Sequence, residues 1–391
     1  MDDQGLARGK GAHVLKVIVV HPSLNRLGGA EKACVRMIEA LIDAGHEVTL
    51  YTVDKTRWAP IEDNWGPTRR PAELWHIKRL PILNMGLVKW PIFLISYISL
   101  LAKAARKRGA ISINNYGEIF PLFATVAYVH ASPLFSASNR ENPYAIPLWA
   151  VGRPLYLLLL RALSNRVSSL ILTNSRYNAG RISQRIASHI VVVYPPIDHQ
   201  EAPHQQKRAA ILTASRLSKT KNLGIIPRIA SMTGADCVFY LALTTGTGGV
   251  KQAAPPRGLI APKTRLLLNP TRGELRGLRL SSAIYLSTQP TEALGLSILE
   301  AMDAGCIPIV PKDGGPWHDI LEEKQGIVGY AFETCAEAAA QIDLVLSDPG
   351  LRNELSGAAR RRASSFRRET FSEPLLKILE RVDARRGIQQ V

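Results

Sequence analysis

The chain has 391 residues, 46% of them apolar and 21% charged, with 29 glycines and 25 prolines. That length exceeds what one hydrophobic core usually fills, so two domains of about 150–200 residues are expected, and the ordinary apolar fraction excludes a disordered chain. Lys and Arg number 49 against 32 Asp and Glu, a net +17, with 24 basic and 12 acidic residues before position 196 (+12) and 25 and 20 after it (+5). A basic field of this size favours nucleic acid, anionic lipid or phosphorylated ligands, and charge alone does not choose among them.

In chain order, MDDQGLARGKGAHVLK lacks the apolar core of a secretory signal. Val14–Val20 (VLKVIVV) is β-branched and apolar and predicts a buried strand. The loop HPSLNRLGG leads to Ala30–Ala44, where Ala33, Met37, Leu41 and Ala44 fall at helical spacing and Gly45 closes the helix. Glu47–Val53 is the next strand. Strand, helix and strand within 40 residues predict a βαβ unit, and hence a parallel sheet with helices on its faces. From Leu80 to Ala102 the chain is apolar, but Lys89 and two prolines interrupt it, leaving 13 uncharged residues from Trp90. A spanning helix needs about 20, so this predicts a surface-lying or buried helix. Ile111–Ile113, Ala124–Val129 and Leu170–Thr173 predict further strands of the same sheet.

VVVYPPID (191–198) runs into Pro195-Pro196, and the polar HQEAPHQQKR after it predicts a linker. A second α/β run follows, with strands at Ala209–Ala214, Cys237–Ala242, Thr264–Leu268, Ala283–Ser287 and Ile307–Val310. Its helices include Leu296–Ala304 and Cys335–Leu346, and terminal helices fill the last 35 residues. Cysteines 34, 237, 306 and 335 form no C-x-x-C pair and no metal spacing, which points to a reducing compartment.

Three places combine chemistry with a position where an α/β sheet binds ligands. Gly28-Gly29 lies between strand and helix, where backbone can approach an anion at a helix N-terminus; a tight turn explains the pair equally well. Arg216 and Lys221 in TASRLSKTKNL follow the first strand of the second half. A guanidinium and an ammonium on one loop at the carboxyl end of a strand can clamp a diphosphate, although a solvated basic loop has the same composition. EALGLSILE places Glu292 in a loop after an apolar strand, Leu294-Gly295-Leu296 at a helix start and Glu300 within the helix. One carboxylate suits sugar hydroxyls and the other the vicinal hydroxyls of a ribose. A diphosphate lying between their targets keeps the two negative charges from opposing each other.

EALGLSILEAMDAGCIPIVPKDGGPWHDIL closely resembles the donor-binding signature of glycosyltransferase family 4, retaining enzymes of the GT-B fold. HPSLNRLGGAEKACVRMIEALIDAGHEVTLYT resembles its GGAE loop and helix, SRLSKTKNL its Arg-x4-Lys clamp, and LTNSRYNAGRI with VVVYPPID its approach to the hinge. HP…GGAE, YVHASP and GGPWHDI are most similar to mannosyltransferases that extend lipid-linked oligosaccharides. The resemblance implies an α/β fold of two Rossmann-like domains facing a cleft. Residues 1–198 would bind the acceptor, 199–370 the nucleotide sugar, and 371–391 would be a helix packing back on the first domain. It implies that Gly28 and Gly29 touch the donor diphosphate, and that Arg216 and Lys221 neutralise the leaving nucleoside diphosphate. Glu292 would contact the transferred sugar, the amides at Leu294, Gly295 and Leu296 would bind phosphate and sugar, and Glu300 would hold the ribose. His130 would stand near the reaction centre; without that context, a lone histidine after an apolar strand is more often structural. The mechanism implied is front-face attack, with a donor phosphate oxygen taking the acceptor proton. No metal or other cofactor is implied.

Leu294 stands where the family usually has an aromatic residue, and Thr245–Gln252 with Pro255-Pro256 makes an unusually Gly- and Pro-rich loop; both bear on base and sugar identity. The basic first half, the apolar segment 81–101 and Trp149–Leu163 suit a cytoplasmic protein held peripherally on an anionic membrane at its cytosolic face, although both segments also suit core helices. The expected partners are therefore a nucleotide sugar (GDP-mannose first), a lipid-linked glycan acceptor and an anionic membrane surface. The alternative is a UDP-sugar-dependent enzyme with a soluble or other glycolipid acceptor. More remote are an inactive scaffold and a nucleic-acid-binding protein, against which stand the intact Arg216, Lys221, Glu292 and Glu300 and only 6% aromatic residues.

Overall fold

The computed structural model describes residues 13–77, 89–116, 123–130, 158, 170–183, 190–199, 207–245 and 257–388. The readings of the N-terminal tail, of residues 149–163 apart from Leu158, of the linker 200–206 and of the Gly-rich loop 246–256 lie outside the described residues.

The β-branched run at the start forms β1 (Lys16–His21), followed by α1 (Gly29–Asp43) and β2 (Glu47–Thr52). Gly45 adopts φ +84° just past α1, a left-handed value that glycine takes without a Cβ penalty. The first half continues with α2 (Trp58–Trp65), β3 (Glu73–His76), α3 (Lys89–Ala105), β4 (Ala110–Asn114), β5 (Val126–Val129), β6 (Leu170–Thr173), α4 (Arg176–Ser183) and β7 (Ile190–Val192). Its strands order as β3-β2-β1-β4-β5-β6-β7, all parallel.

The second half holds β8 (Arg208–Arg216), α5 (Ile226–Met232), β9 (Val238–Thr244), β10 (Thr264–Leu268), α6 (Arg272–Ser281), β11 (Ser282–Leu286), α7 (Leu296–Asp303), β12 (Ile307–Pro311), β13 (Tyr330–Phe332), α8 (Cys335–Ser347) and α9 (Pro349–Ser364). This parallel sheet orders as β10-β9-β8-β11-β12-β13. Strand order reverses beside β1 in one sheet and beside β8 in the other. The crevice outside the carboxyl ends at such a reversal is where open α/β sheets bind ligands.

Helices cover both faces of each sheet, so the central strands are buried and almost wholly apolar. On one face of the first sheet, Val17 and Val19 pack with Met37, Ile38 and Leu41 of α1. On the other, Ile18 and Val20 pack with Tyr97, Leu100 and Leu101 of α3. The described part of the 81–101 segment thus buries one face in the core, while Ile95 on the same helix is 67% exposed. Among the described residues no helix is long and apolar enough to cross a membrane. In the second domain, Ile211, Phe239 and Leu241 pack under Ile229 and Ile342, and Leu212 and Tyr285 pack on the opposite face under Leu299, Met302 and Ala363. The four cysteines are free thiols.

The last helix, α10 (Arg368–Ile388), returns to the first domain, where Phe371, Leu375 and Leu379 join the core beneath α1. The chain therefore passes between the domains twice, and the two passages are joined. Ile197 N–H donates to the Phe366 carbonyl at 2.8 Å, and the rings of Tyr194 and Phe366 meet edge to face at 5.1 Å.

A further tie comes from Asp319, wholly buried in the second domain in a single π-helical turn over Pro316–Ile320. Its carboxylate accepts the first free amides of α4 in the first domain, Arg176 N at 2.6 Å and Tyr177 N at 3.1 Å, together with Tyr194 Oη at 2.8 Å. One domain thereby caps a helix of the other. Asp319→Ala should leave three partly buried donors without their acceptor at a cost of about 3 kcal/mol, lowering the melting temperature by roughly 6–12 °C. Differential scanning calorimetry would show it, and an unchanged melting temperature would mean that the cap does not hold the domains.

Candidate active site

The second domain contributes a cationic loop and a glycine-braced turn. Arg216 ends β8, and Lys221 lies in the short 3-10 turn Lys219–Lys221, whose carbonyl accepts Thr288 Oγ1 at 2.7 Å. Lys221 Nζ donates to Glu292 Oε2 at 2.7 Å, both side chains being about one-fifth exposed. Leu294 is buried in the core, and Gly295, at φ +94°, turns the chain into α7. Behind this turn, Gly315 N–H donates to the Glu292 carbonyl at 2.7 Å, and a Cβ on Gly315 would stand 2.0 Å from the Ala293 oxygen. The Gly314-Gly315 pair is therefore a brace that admits no side chain. A cavity at the carboxyl ends of β8 and β11 is lined by Ser215, Lys221, Thr288, Gln289, Glu292 and Ser297. Gln289 Oε1 is buried there with no hydrogen-bond partner among the described residues.

The first domain faces this wall with its glycine loop. A Cβ on Gly28 would lie 3.9 Å from Arg216 Cζ, and one on Gly29 would lie 3.6 Å from Leu296 Cδ1. A side-chain carbon at either glycine would thus lie in van der Waals contact with the other domain, and the bare backbone stands one carbon's reach from Arg216 and Leu296. The Gly28 N–H is taken by Glu31 Oε2 at 3.0 Å, so that amide is satisfied within its own helix cap.

His130, at the end of β5, is buried, and its hydrogen-bond partners belong to the first domain. Nε2 lies 3.1 Å from the Asn115 carbonyl and 3.0 Å from Asn115 Oδ1. Both oxygens only accept, so Nε2 carries the hydrogen and Nδ1 is left as an acceptor. Burial pushes the imidazole down to about 4, against a smaller upward effect of the bond to Asn115, so His130 is neutral at pH 7. His21, at the end of β1, is also held well below its ordinary range, by burial first and then by His130 and Arg26.

Glu300 lies one turn into α7 and is almost buried. Arg279 Nη2 donates to its Oε2, and Lys32 Nζ, from α1 of the first domain, donates to its Oε1. Burial pushes this carboxyl up, but Arg279 and then Lys32 outweigh it and hold Glu300 below the usual carboxylate range. The two glutamates thus avoid each other's charge by having cations of their own, Lys221 for one and Arg279 with Lys32 for the other; the expected separation by a bound diphosphate is not needed. Lys32 also pairs with Asp198 Oδ2 at 2.9 Å, Arg36 reaches the same oxygen at 2.8 Å and Glu39 Oε2 at 2.7 Å, and Arg368 of α10 closes on Glu39. None of Arg279, Arg36 or Asp319 emerges from the sequence, because none lies in a pattern whose spacing implies a partner. Among the described residues no group of three or more His, Cys, Asp or Glu is placed to hold a metal.

Two parallel α/β sheets with their carboxyl ends facing across such a cleft make the GT-B fold. The sequence agrees: the family model for Glycosyltransferase Family 4 matches residues 27–201, and that for Glycosyl transferases group 1 matches residues 259–362. The chain belongs to glycosyltransferase family 4. Anabaena HepE, solved with UDP-glucose, superposes over 94% of this chain and 99% of its own with a TM-score of 0.67 at 17% identity. Sucrose-phosphate synthase from Thermosynechococcus elongatus superposes over 94% and 99% with a TM-score of 0.69 at 14% identity. Among curated proteins, the Dictyostelium discoideum GDP-Man:Man(3)GlcNAc(2)-PP-Dol alpha-1,2-mannosyltransferase is 27% identical over 107 residues, 27% of this chain. That match spans about a fifth of the relative's length, 21%.

Two outcomes test this geometry. Gly315→Ala should push the Glu292–Leu294 turn out of place and weaken nucleotide binding at least about tenfold, roughly 1.4 kcal/mol, with circular dichroism unchanged. Asp198 supplies a pH signature. Burial pushes its carboxyl up, but Lys32 and Arg36 outweigh that and hold it at about 2. A depressed carboxylate stabilises the fold above its unfolded value near 3.9, and that contribution is lost as pH falls toward 2. Thermal unfolding between pH 5 and 2 should show wild type losing roughly 2 kcal/mol more than Asp198→Asn.

Proposed function

We propose that the protein is a retaining glycosyltransferase that moves a hexose, mannose from GDP-mannose, to a hydroxyl of a lipid-linked (polyprenyl or dolichyl diphosphate) oligosaccharide at the cytosolic membrane face. The observation that carries the reading is that Gly28 faces the Arg216 guanidinium across the cleft, within the reach of one added carbon, beside the Lys221–Glu292 pair. Two cations, a carboxylate and backbone that admits close approach stand together at the carboxyl ends of parallel strands.

In this reading Arg216 and Lys221 take the charge that develops on the leaving nucleoside diphosphate as the bond from the anomeric carbon to oxygen breaks. Lys221 has three donors, so it can bind a phosphate oxygen while keeping Glu292 aimed at the sugar. The acceptor oxygen bonds to the anomeric carbon on the face that the diphosphate leaves, and its proton passes to a donor phosphate oxygen. His130, neutral and fixed by Asn115, stands at the acceptor side, and Glu300 binds the ribose. The two cations meet the diphosphate charge without a divalent metal, so activity should persist in EDTA.

Mannose and a lipid-linked acceptor are supported by the likeness to the Dictyostelium enzyme and by the basic first domain. A second reading, transfer from a UDP-sugar, is favoured by the similar fold of Anabaena HepE, which was solved with UDP-glucose. Thermal stabilisation by GDP, UDP, ADP and their sugars separates them. A ligand at 100 times its dissociation constant adds about 2.7 kcal/mol. The expected result is a shift with GDP that Arg216→Ala abolishes; a shift with UDP alone replaces the mannose assignment, and no shift with any nucleotide makes the chain an inactive scaffold. Co-sedimentation with anionic liposomes should fall as salt rises, whereas protein that stays in the supernatant at low salt indicates a soluble acceptor.

A further inference from the structure

The two cations on Glu300 come from different domains. Arg279, on α6, belongs to the same domain as Glu300, so this contact survives any movement of one domain against the other. Lys32, on α1, belongs to the opposite domain, and its contact exists only while the domains are together. The side chains of Lys32 and Arg279 are 9% exposed and that of Glu300 is 12% exposed. Lys32 is fixed in turn by Asp198, at the first passage of the chain between the domains.

We propose that Lys32 is a positioning residue for ribose recognition: together with Arg279 it aims an ionised Glu300, and it does so only in the closed arrangement of the domains. The inference rests on the reading of Glu300 as the ribose ligand. A carboxylate offers about four lone-pair sites. Lys32 and Arg279 each take one, on different oxygens, which leaves one site on each oxygen for a pair of vicinal hydroxyls. Hydroxyl donors bind an ionised carboxylate more strongly than a neutral one, and a cation on each side keeps the charge in place. The nucleoside is then gripped when the glycine loop has come against Arg216 and released when it withdraws.

The test is calorimetric titration of GDP, UDP and their 2′-deoxy forms into wild type, Lys32→Met, Lys32→Arg and Glu300→Gln. Wild type should prefer the ribonucleotide by about tenfold or more, the size of a lost charge-assisted hydrogen bond. Lys32→Met should bring that preference toward unity while deoxynucleotide affinity stays near wild type. Lys32→Arg should restore most of the preference, and Lys32→Met should add little to Glu300→Gln. If Lys32→Met retains the full preference, or binds both forms more tightly, Lys32 is a spacer or a plug and the proposal falls. Wild type without any preference would remove Glu300 from the ribose, and wild type that binds no nucleotide would remove the donor site itself; either result overturns the inference at an identifiable step. Melting curves without nucleotide report folding. If Lys32→Met does not fold, Lys32→Gln takes its place, since an amide still donates to Asp198 while removing the charge.

Discussion

Charges alternate in a row that runs from the domain boundary to the surface: Arg279, Glu300, Lys32, Asp198, Arg36 and Glu39, with the partly exposed Arg368 at its outer end. Taking so many ions out of water costs several kcal/mol each, and attraction repays this only where every charge has an opposite neighbour in good geometry. Glu300, Lys32, Asp198, Arg36 and Glu39 each have two such neighbours. A row of this kind contributes no more to net stability than apolar side chains of the same volume, but it tolerates one alignment and penalises others. It crosses from α6 and α7 to α1, then to Asp198 at the first passage of the chain and to α10, so the alignment it selects is that of the two sheets.

That alignment gives the cleft its chemistry. The carboxyl ends of two parallel sheets face one another, and each supplies what the other lacks. The first domain presents backbone at Gly28 and Gly29; the second presents Arg216, Lys221 and Glu292, on a turn that Gly315 braces from behind. The two glutamates of the motif differ sharply in surroundings. Glu292 shares one lysine at a partly open wall, whereas Glu300 is enclosed by two cations. Like residues in unlike settings can serve unlike ends, one adaptable and one fixed.

Much of this was legible in the amino-acid sequence. The run VLKVIVV followed by an amphipathic helix and EVTLYT could bury its apolar residues only as a βαβ unit, and so it does in β1, α1 and β2. Short elements escaped notice. β13 has only three residues, Tyr330–Phe332, too few to show a period, and β3 is an edge strand that carries Leu74 and Trp75 half exposed, without a buried face to betray it. In the site, Arg216, Lys221, Glu292 and Gly295 were visible because turn chemistry and charge stand close together in the chain. The partners of Glu300 were not: Lys32 lies 268 residues away and Arg279 21 residues away, and a lysine in an amphipathic helix carries no local sign of what it will meet. Asp319 was hidden for the same reason, since its cap is formed on a helix 143 residues earlier.

The double passage of the chain between the domains has a mechanical consequence. A single connecting strand would be a tether, free to swivel and slide. Here the segment through Ile197 and the one through Phe366 run side by side, sharing a hydrogen bond and an aromatic contact, and α10 is anchored in the first core. Two parallel straps define an axle. Such an axle favours rotation about one line over sliding or swivelling, so that any opening of the cleft would bring the facing walls back to the same register.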